Sequence, residues 1–170
     1  MTDGDVLERN PKITRQALEA IHDQVFGWAL SRCQHDRMMA EDLVQQAYVQ
    51  LLSGKARFDG GSSLKTFVFS VVQNLAGSRF RRLATRLRFV QMHSNDEAFA
   101  APEEPQEHAH VWDAVGALPA RQRDIIELVF CRELTVDEAA MVMGVSAGTA
   151  RVHYDRAKKA LRARLENNDD

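Results

Sequence analysis

Cysteine is scarce: Cys33 and Cys131 are the only two, and they stand far apart. A disulfide framework or a zinc knuckle needs more of them at closer spacing, so each reads as a small buried hydrophobe. Long apolar runs are missing too. No stretch approaches the ~20 residues that a membrane helix requires. Met1 to Asn10 is acidic and polar and lacks the parts of a secretory signal. A cytoplasmic protein without membrane insertion is the expectation. Also absent are a Gly-x-Ser-x-Gly elbow, a Gly-rich phosphate loop and a His-Glu-x-x-His pair. No catalytic residue and no cofactor are expected, and the chain does not read as an enzyme. His108-Ala109-His110 beside Glu107, and Cys33-Gln34-His35, each offer too few ligands for a closed zinc site, so no metal is expected.

What is present is a charge pattern hidden by a net charge of −2. Leu75 to His93 holds five Arg and no acid. Ser94 to His110 holds five acids and no Lys or Arg. Ser146 to Leu165 holds six Lys or Arg and one acid, Asp155. Two basic stretches flank an acidic one, and such local fields say more about partners than the whole-chain balance does.

Apolar spacing favours helix nearly everywhere. Ile13, Ala17, Ile21, Val25 and Trp28 step by three and four, as do Ala40, Leu43, Val44, Ala47 and Leu51. A third run passes from Leu64 through Val68, Val71, Val72 and Leu75 to Leu83 and Leu87. No segment alternates with period two, and no internal repeat is evident. Gly54 ends the second helix. Asp59-Gly60-Gly61-Ser62-Ser63 is a loop whose serines can cap the third. Ser94 to His110, with two prolines and no apolar stripe, reads as a mobile linker. The expected fold is all-α: a helical bundle over residues 10–93, a linker over 94–110, and a smaller helical domain over 111–166.

The smaller domain carries a helix-turn-helix pattern. Pro119 marks a helix start, and Ile125, Ile126, Val129 and Phe130 supply its core face. Thr135-Val136-Asp137-Glu138 has capping-box spacing. Ala139 is small enough for close helix approach, Gly144 permits a turn, Val145 closes the core beneath it, and Ser146 caps the next helix. On that last helix Ala150, Tyr154, Ala157, Leu161 and Leu165 share one face. Arg151, Val152 and Asp155 are the candidates for base contact: arginine suits a guanine edge, and valine a thymine methyl. Arg156, Lys158, Lys159 and Arg162 are candidates for phosphate, with Ser146, Gly148 and Thr149 leaving amides and a hydroxyl near the helix start.

In the larger domain, the second helix presents a polar face of Glu41, Asp42, Gln45, Gln46 and Gln50. The third is apolar in its first half and arginine-rich in its second. Arg79, Arg82 and Arg86 share a face, with Arg81 and Arg88 beside it. Aromatics lie among these residues at Phe58, Phe67, Phe69, Phe80 and Phe89, of which Phe67 and Phe69 read as core. Cations interleaved with rings suit single-stranded or distorted DNA, where bases stack and the backbone meets arginine.

These residues together resemble the extracytoplasmic-function (ECF) group of the sigma-70 family. The resemblance spans about Ala17 to Leu165. It rests on Ala40-Glu41-Asp42-Leu43-Val44-Gln45, on Phe58 through Phe69, and on Asn74-Leu75-Ala76 with Arg81-Arg82. In the second domain it rests on Leu118-Pro119 with Gln122-Arg123, on Leu134 through Ala140, and on Gly144-Val145-Ser146 leading to Gly148-Thr149. The resemblance implies a factor that binds core RNA polymerase and promoter DNA, is held by an anti-sigma factor, and is a monomer when free of partners. Glu41, Asp42, Gln45 and Gln46 would face the polymerase clamp. Asp59, Gly60, Gly61, Ser62 and Ser63 would capture a flipped base, and Asn74, Arg79, Arg81 and Arg82 would hold DNA at the minus-ten element. The last helix would read the minus-thirty-five element.

Some positions depart from the family pattern. Met39 and Gln46 stand where acids are frequent, Phe67 where Trp is, and Ser78 where Asp is. Ala150 replaces a usual Val, and Val152 a usual Ser or Thr. These bear on promoter sequence and polymerase affinity. The rival reading is a stand-alone helix-turn-helix regulator that acts without polymerase, which leaves the basic, aromatic third helix unexplained.

Overall fold

The computed structural model describes residues 13–88 and 109–166. Most of the acidic linker therefore lies outside the described residues, as does Phe89. Within them the elements are α1 (Arg15–Arg32), α2 (Arg37–Leu52), α3 (Leu64–Arg88), α4 (Ala109–Gly116), α5 (Ala120–Ile126), a π-helical turn (Glu127–Cys131), α6 (Val136–Met143) and α7 (Ala147–Glu166). No strand occurs among the described residues, so the all-helical expectation holds. The final residues of the expected linker, Ala109 and His110, already belong to α4. The chain forms two compact units that divide after Ala98.

In the first unit, α1, α2 and α3 pack against one another. Local chemistry sets their ends. Thr14 caps α1 through Ala17 N–H, Asp36 caps α2 through Met39 N–H, and Ser63 caps α3 through Thr66 N–H, at 3.0–3.1 Å. Beyond α2, Gly54 takes φ 72°, the left-handed conformation that suits glycine. The core is built around Trp28, which is 0% exposed. Its ring stacks on Phe69 at 5.9 Å and 12°, and its indole N–H donates to the Phe69 carbonyl at 3.3 Å. Val25, Leu43, Leu51, Val68 and Val72 are also fully buried in this unit. Phe69 is core as expected. Phe67 is only half-buried, its ring 5.2 Å from that of Phe58.

In the second unit, Val115, Leu118, Ile126 and Ala157 form the core, with Trp112, Tyr154, Ala160 and Leu161 packed on it. Pro119 sits one residue ahead of the first helical position of α5, as its N-cap. The sequence period fails after Ile126. There a π turn adds one residue to the helix, and Arg132 N–H reaches back to the Glu127 carbonyl at 3.1 Å. The extra residue rotates Phe130 outward, so the expected core residue is 61% exposed, and Leu128 fills the core instead. The π turn ends near Glu133, whose φ of 57° disfavours a Cβ. Glu133→Gly should raise this unit's stability by about 0.5–1 kcal/mol. The urea midpoint of the second unit checks it, and an unchanged midpoint would count against strain there.

Candidate nucleic-acid interface

Two caps in succession build the helix-turn-helix. Thr135 Oγ1 accepts from Glu138 N–H at 3.2 Å, and the Glu138 carboxylate accepts from Thr135 N–H at 2.8 Å. This is the reciprocal box expected from the sequence. Gly144 ends α6 at φ 65°, and Ser146 Oγ then accepts from Thr149 N–H at 3.1 Å to start α7. Ala139 and Ala140 are buried, which lets α6 approach α7 closely.

At about 100° per residue, α7 divides cleanly. Ala150 and Ala157 are fully buried, and Tyr154, Leu161 and Leu165 are half-buried along the same side. Arg151, Asp155, Lys158, Lys159 and Arg162 occupy an exposed arc of roughly 100°, which Val152 and Arg156 widen to roughly 160°. Val152 is 46% exposed, so its methyl groups are open to a partner on that side. Arg164 departs from this pattern, because its guanidinium donates to the Ala114 carbonyl at 3.2 Å and ties the end of α7 to α4. Lys158 lies 4.3 Å over the Tyr154 ring and 3.5 Å from Asp155. Tyr154 in turn stacks on the outward-turned Phe130 at 6.2 Å.

Arg151 has a partner that the sequence reading passed over. Its Nη2 donates to Asp137 Oδ1 at 2.8 Å. Asp137 lies in the first turn of α6, and sequence alone marks it only as a helix-end acid.

In the first unit the loop after α2 is organised by Asp59, whose Oδ1 accepts from Gly61 N–H at 2.8 Å. A Cβ at Gly61 would sit 3.1 Å from that oxygen, a tight contact that the Asp59 side chain would have to relieve, and Gly60 takes φ 83°, the left-handed conformation that suits glycine. Asp59, Gly60 and Gly61 are exposed, whereas the Ser63 hydroxyl is engaged in the cap and bonds Thr66 Oγ1 at 2.9 Å.

The arginines of α3 do not form one surface. Arg79 continues the inward stripe of Val68, Val72 and Ala76, while Asn74 and Arg81 lie nearly opposite, about 200° around the axis. Arg79 consequently reaches α2, where it pairs with Asp42 and donates to the Met39 carbonyl at 3.4 Å. Gln46 also donates to Asp42, at 3.2 Å. A residue expected at polymerase and one expected at DNA thus meet each other. Glu41, Gln45 and Gln46 remain exposed beside them. Next to this pair, Arg32, Met39, Leu43, Arg79, Phe80 and Leu83 help line an open cleft of about 360 Å³, apolar on its floor and rimmed by arginine.

Cys33 lies in the same cleft. Burial pushes its thiol up from the ordinary range, with Arg79 opposing, so it is a poor source of thiolate. No group of three metal-ligating side chains gathers among the described residues, and Glu107 and His108 lie outside them. No helix there is long and apolar enough to cross a membrane.

Comparison with known proteins decides what these surfaces belong to. Residues 17–86 match the Sigma-70 region 2 model and residues 114–163 the Sigma-70 region 4 model. The ECF RNA polymerase sigma factor EcfG of Rhodopseudomonas palustris is 30% identical over 131 residues, covering 74% of this chain and 71% of that protein. The chain belongs to the ECF RNA polymerase sigma factors. Among other relatives, the ECF sigma factor SigX of Bacillus subtilis is 28% identical over 141 residues, 77% of this chain and 73% of that one. The fold of this sigma factor resembles RpoE of Bartonella quintana, solved with the anti-sigma factor NepR. The TM-score is 0.69 at 24% identity, over 89% of this chain and 96% of that one. It also resembles CnrH, solved with the cytosolic domain of CnrY, with a TM-score of 0.60 at 22% identity over 95% of each chain. Sigma factors initiate transcription and are not enzymes; here the polymerase carries the chemistry.

Proposed function

We propose that this sigma factor docks on core RNA polymerase through α2 and sets promoter choice through α7. Residues 10–93 would act as the polymerase-binding and minus-ten domain, 94–110 as the tether, and 111–166 as the minus-thirty-five domain. The observation that carries the reading is α7 itself: a capped helix with an exposed cationic arc opposite a buried apolar one. Arg151, Val152 and Asp155 would meet base edges, and Ser146, Thr149, Arg156, Lys158, Lys159 and Arg162 the backbone. In the first unit, the Asp59–Ser63 loop would hold a base turned out of the stack, with Asn74, Arg81 and Arg82 on upstream DNA. Arg79 would contribute there only after leaving Asp42. Acting on promoters, the protein would work in the cytoplasm.

Two of the solved relatives carry a partner protein, NepR on RpoE and the CnrY cytosolic domain on CnrH. By analogy an anti-sigma factor would hold this chain inactive. The arginine-rimmed cleft beside Asp42 is where such a partner would compete with polymerase.

The test is run-off transcription with core polymerase on a pooled promoter library. Transcripts that depend on this protein and share two spaced elements are expected; a polymerase that ignores it would overturn the reading. A second measurement addresses the clamp face. Gln46→Glu replaces the donor beside Asp42 with a second carboxylate at the helix surface, where Arg79 stands as counter-charge. It should tighten core polymerase binding several-fold, on the order of one added surface ion pair. Equal affinity in a fluorescence titration would remove this face from the contact.

A further inference from the structure

We infer that Asp137 is a positioning residue for promoter discrimination: it holds Arg151 in the geometry in which it addresses a base. The inference rests on the reading that Arg151 meets a base edge, and it adds a residue that makes no contact with the base. Asp137 Oδ1 sits 2.8 Å from Arg151 Nη2, across the turn between α6 and α7. The side chains are 61% and 60% exposed. The pair therefore lies at the surface rather than within the core, with Arg151 on the arc of α7 proposed to face DNA.

Two physical considerations favour positioning over simple stabilisation. An arginine on a helix surface has many rotamers, and a guanidinium that wanders finds phosphate as readily as a base. One carboxylate contact at Nη2 restricts the side chain and leaves most of its five N–H donors available. A carboxylate beside DNA also repels phosphate, so Asp137 lowers general affinity wherever it stands near the backbone. The competing role is helix-end stabilisation, since Asp137 lies in the first turn of α6, where negative charge is favourable. That role predicts a change in stability and none in base preference.

Holoenzyme assembled from core polymerase and the full chain is assayed on promoters randomised across the minus-thirty-five element. Asp137→Ala should lower discrimination at one base position about 2- to 5-fold, on the scale of a lost surface ion pair. It should affect the same position as Arg151→Ala, and the double variant should lose no more than Arg151→Ala alone. The slope of log affinity against log salt should steepen by about one as the freed arginine turns to phosphate. Asp137→Asn, which keeps the shape and an acceptor oxygen, should recover part of the discrimination, and it replaces the alanine variant should that one unfold. If both Asp137 variants keep full discrimination while Arg151→Ala loses it, positioning is overturned and the base reading stands. If Arg151→Ala keeps it too, the base reading itself falls.

Discussion

Replacing Arg151 with alanine is expected to cut promoter choice far more than the general affinity for DNA. The reason is the division of labour along α7. Lys158, Lys159 and Arg162 share the exposed arc with Arg151, and their charges act on any phosphate backbone. A bidentate arginine on guanine is worth about 1–3 kcal/mol of discrimination, which is about 5- to 150-fold between right and wrong base. The loss should therefore appear in the ratio of cognate to non-cognate transcripts. Lys159→Ala provides the contrast: weaker binding to all promoters alike, with the salt slope reduced by about one. Both variants are measured by competitive run-off transcription across a salt series. Undiminished choice in the Arg151 variant would mean that the base-reading residues lie elsewhere on the helix.

The second large effect is structural. Trp28→Ala should cost the first unit about 3–5 kcal/mol. It removes the largest fully buried side chain, the stack on Phe69, and the hydrogen bond to the Phe69 carbonyl. A body this small has a stability toward the low end of about 5–15 kcal/mol, so the variant loses a large share of it and its unfolding midpoint should fall well below that of the wild type. Core polymerase binding would fall with it, because α2 packs on the helix that carries Trp28. The assay is favourable because the chain has two tryptophans. With Trp28 gone, tryptophan fluorescence reports only Trp112, half-buried against the core of the second unit. Far-UV circular dichroism should then show an early loss of helix that the Trp112 signal does not follow. Coincident transitions at the wild-type midpoint would contradict the assigned core.

Features set by neighbouring residues were legible before any coordinates. The Thr135–Glu138 box, the left-handed Gly144 and the Ser146 cap depend on spacings of three or so residues, and all three stand as read. Two kinds of feature were not legible. Phe130 follows the helical period on paper, but the π turn adds a residue, and nothing in Glu127–Cys131 announces it. The pairs Arg79–Asp42 and Arg151–Asp137 join residues 37 and 14 apart, so they exist only once the helices are packed. For the first of them, residues assigned to separate partners turned out to be each other's neighbours.

The consecutive caps have a thermodynamic consequence. The turn and both helices around it are already fixed by their own hydrogen bonds, so duplex DNA has little chain left to order. Association through this unit should therefore show a heat-capacity change no larger than its contact area demands, without the added decrement that accompanies coupled folding. Its calorimetric enthalpy should vary only gently with temperature.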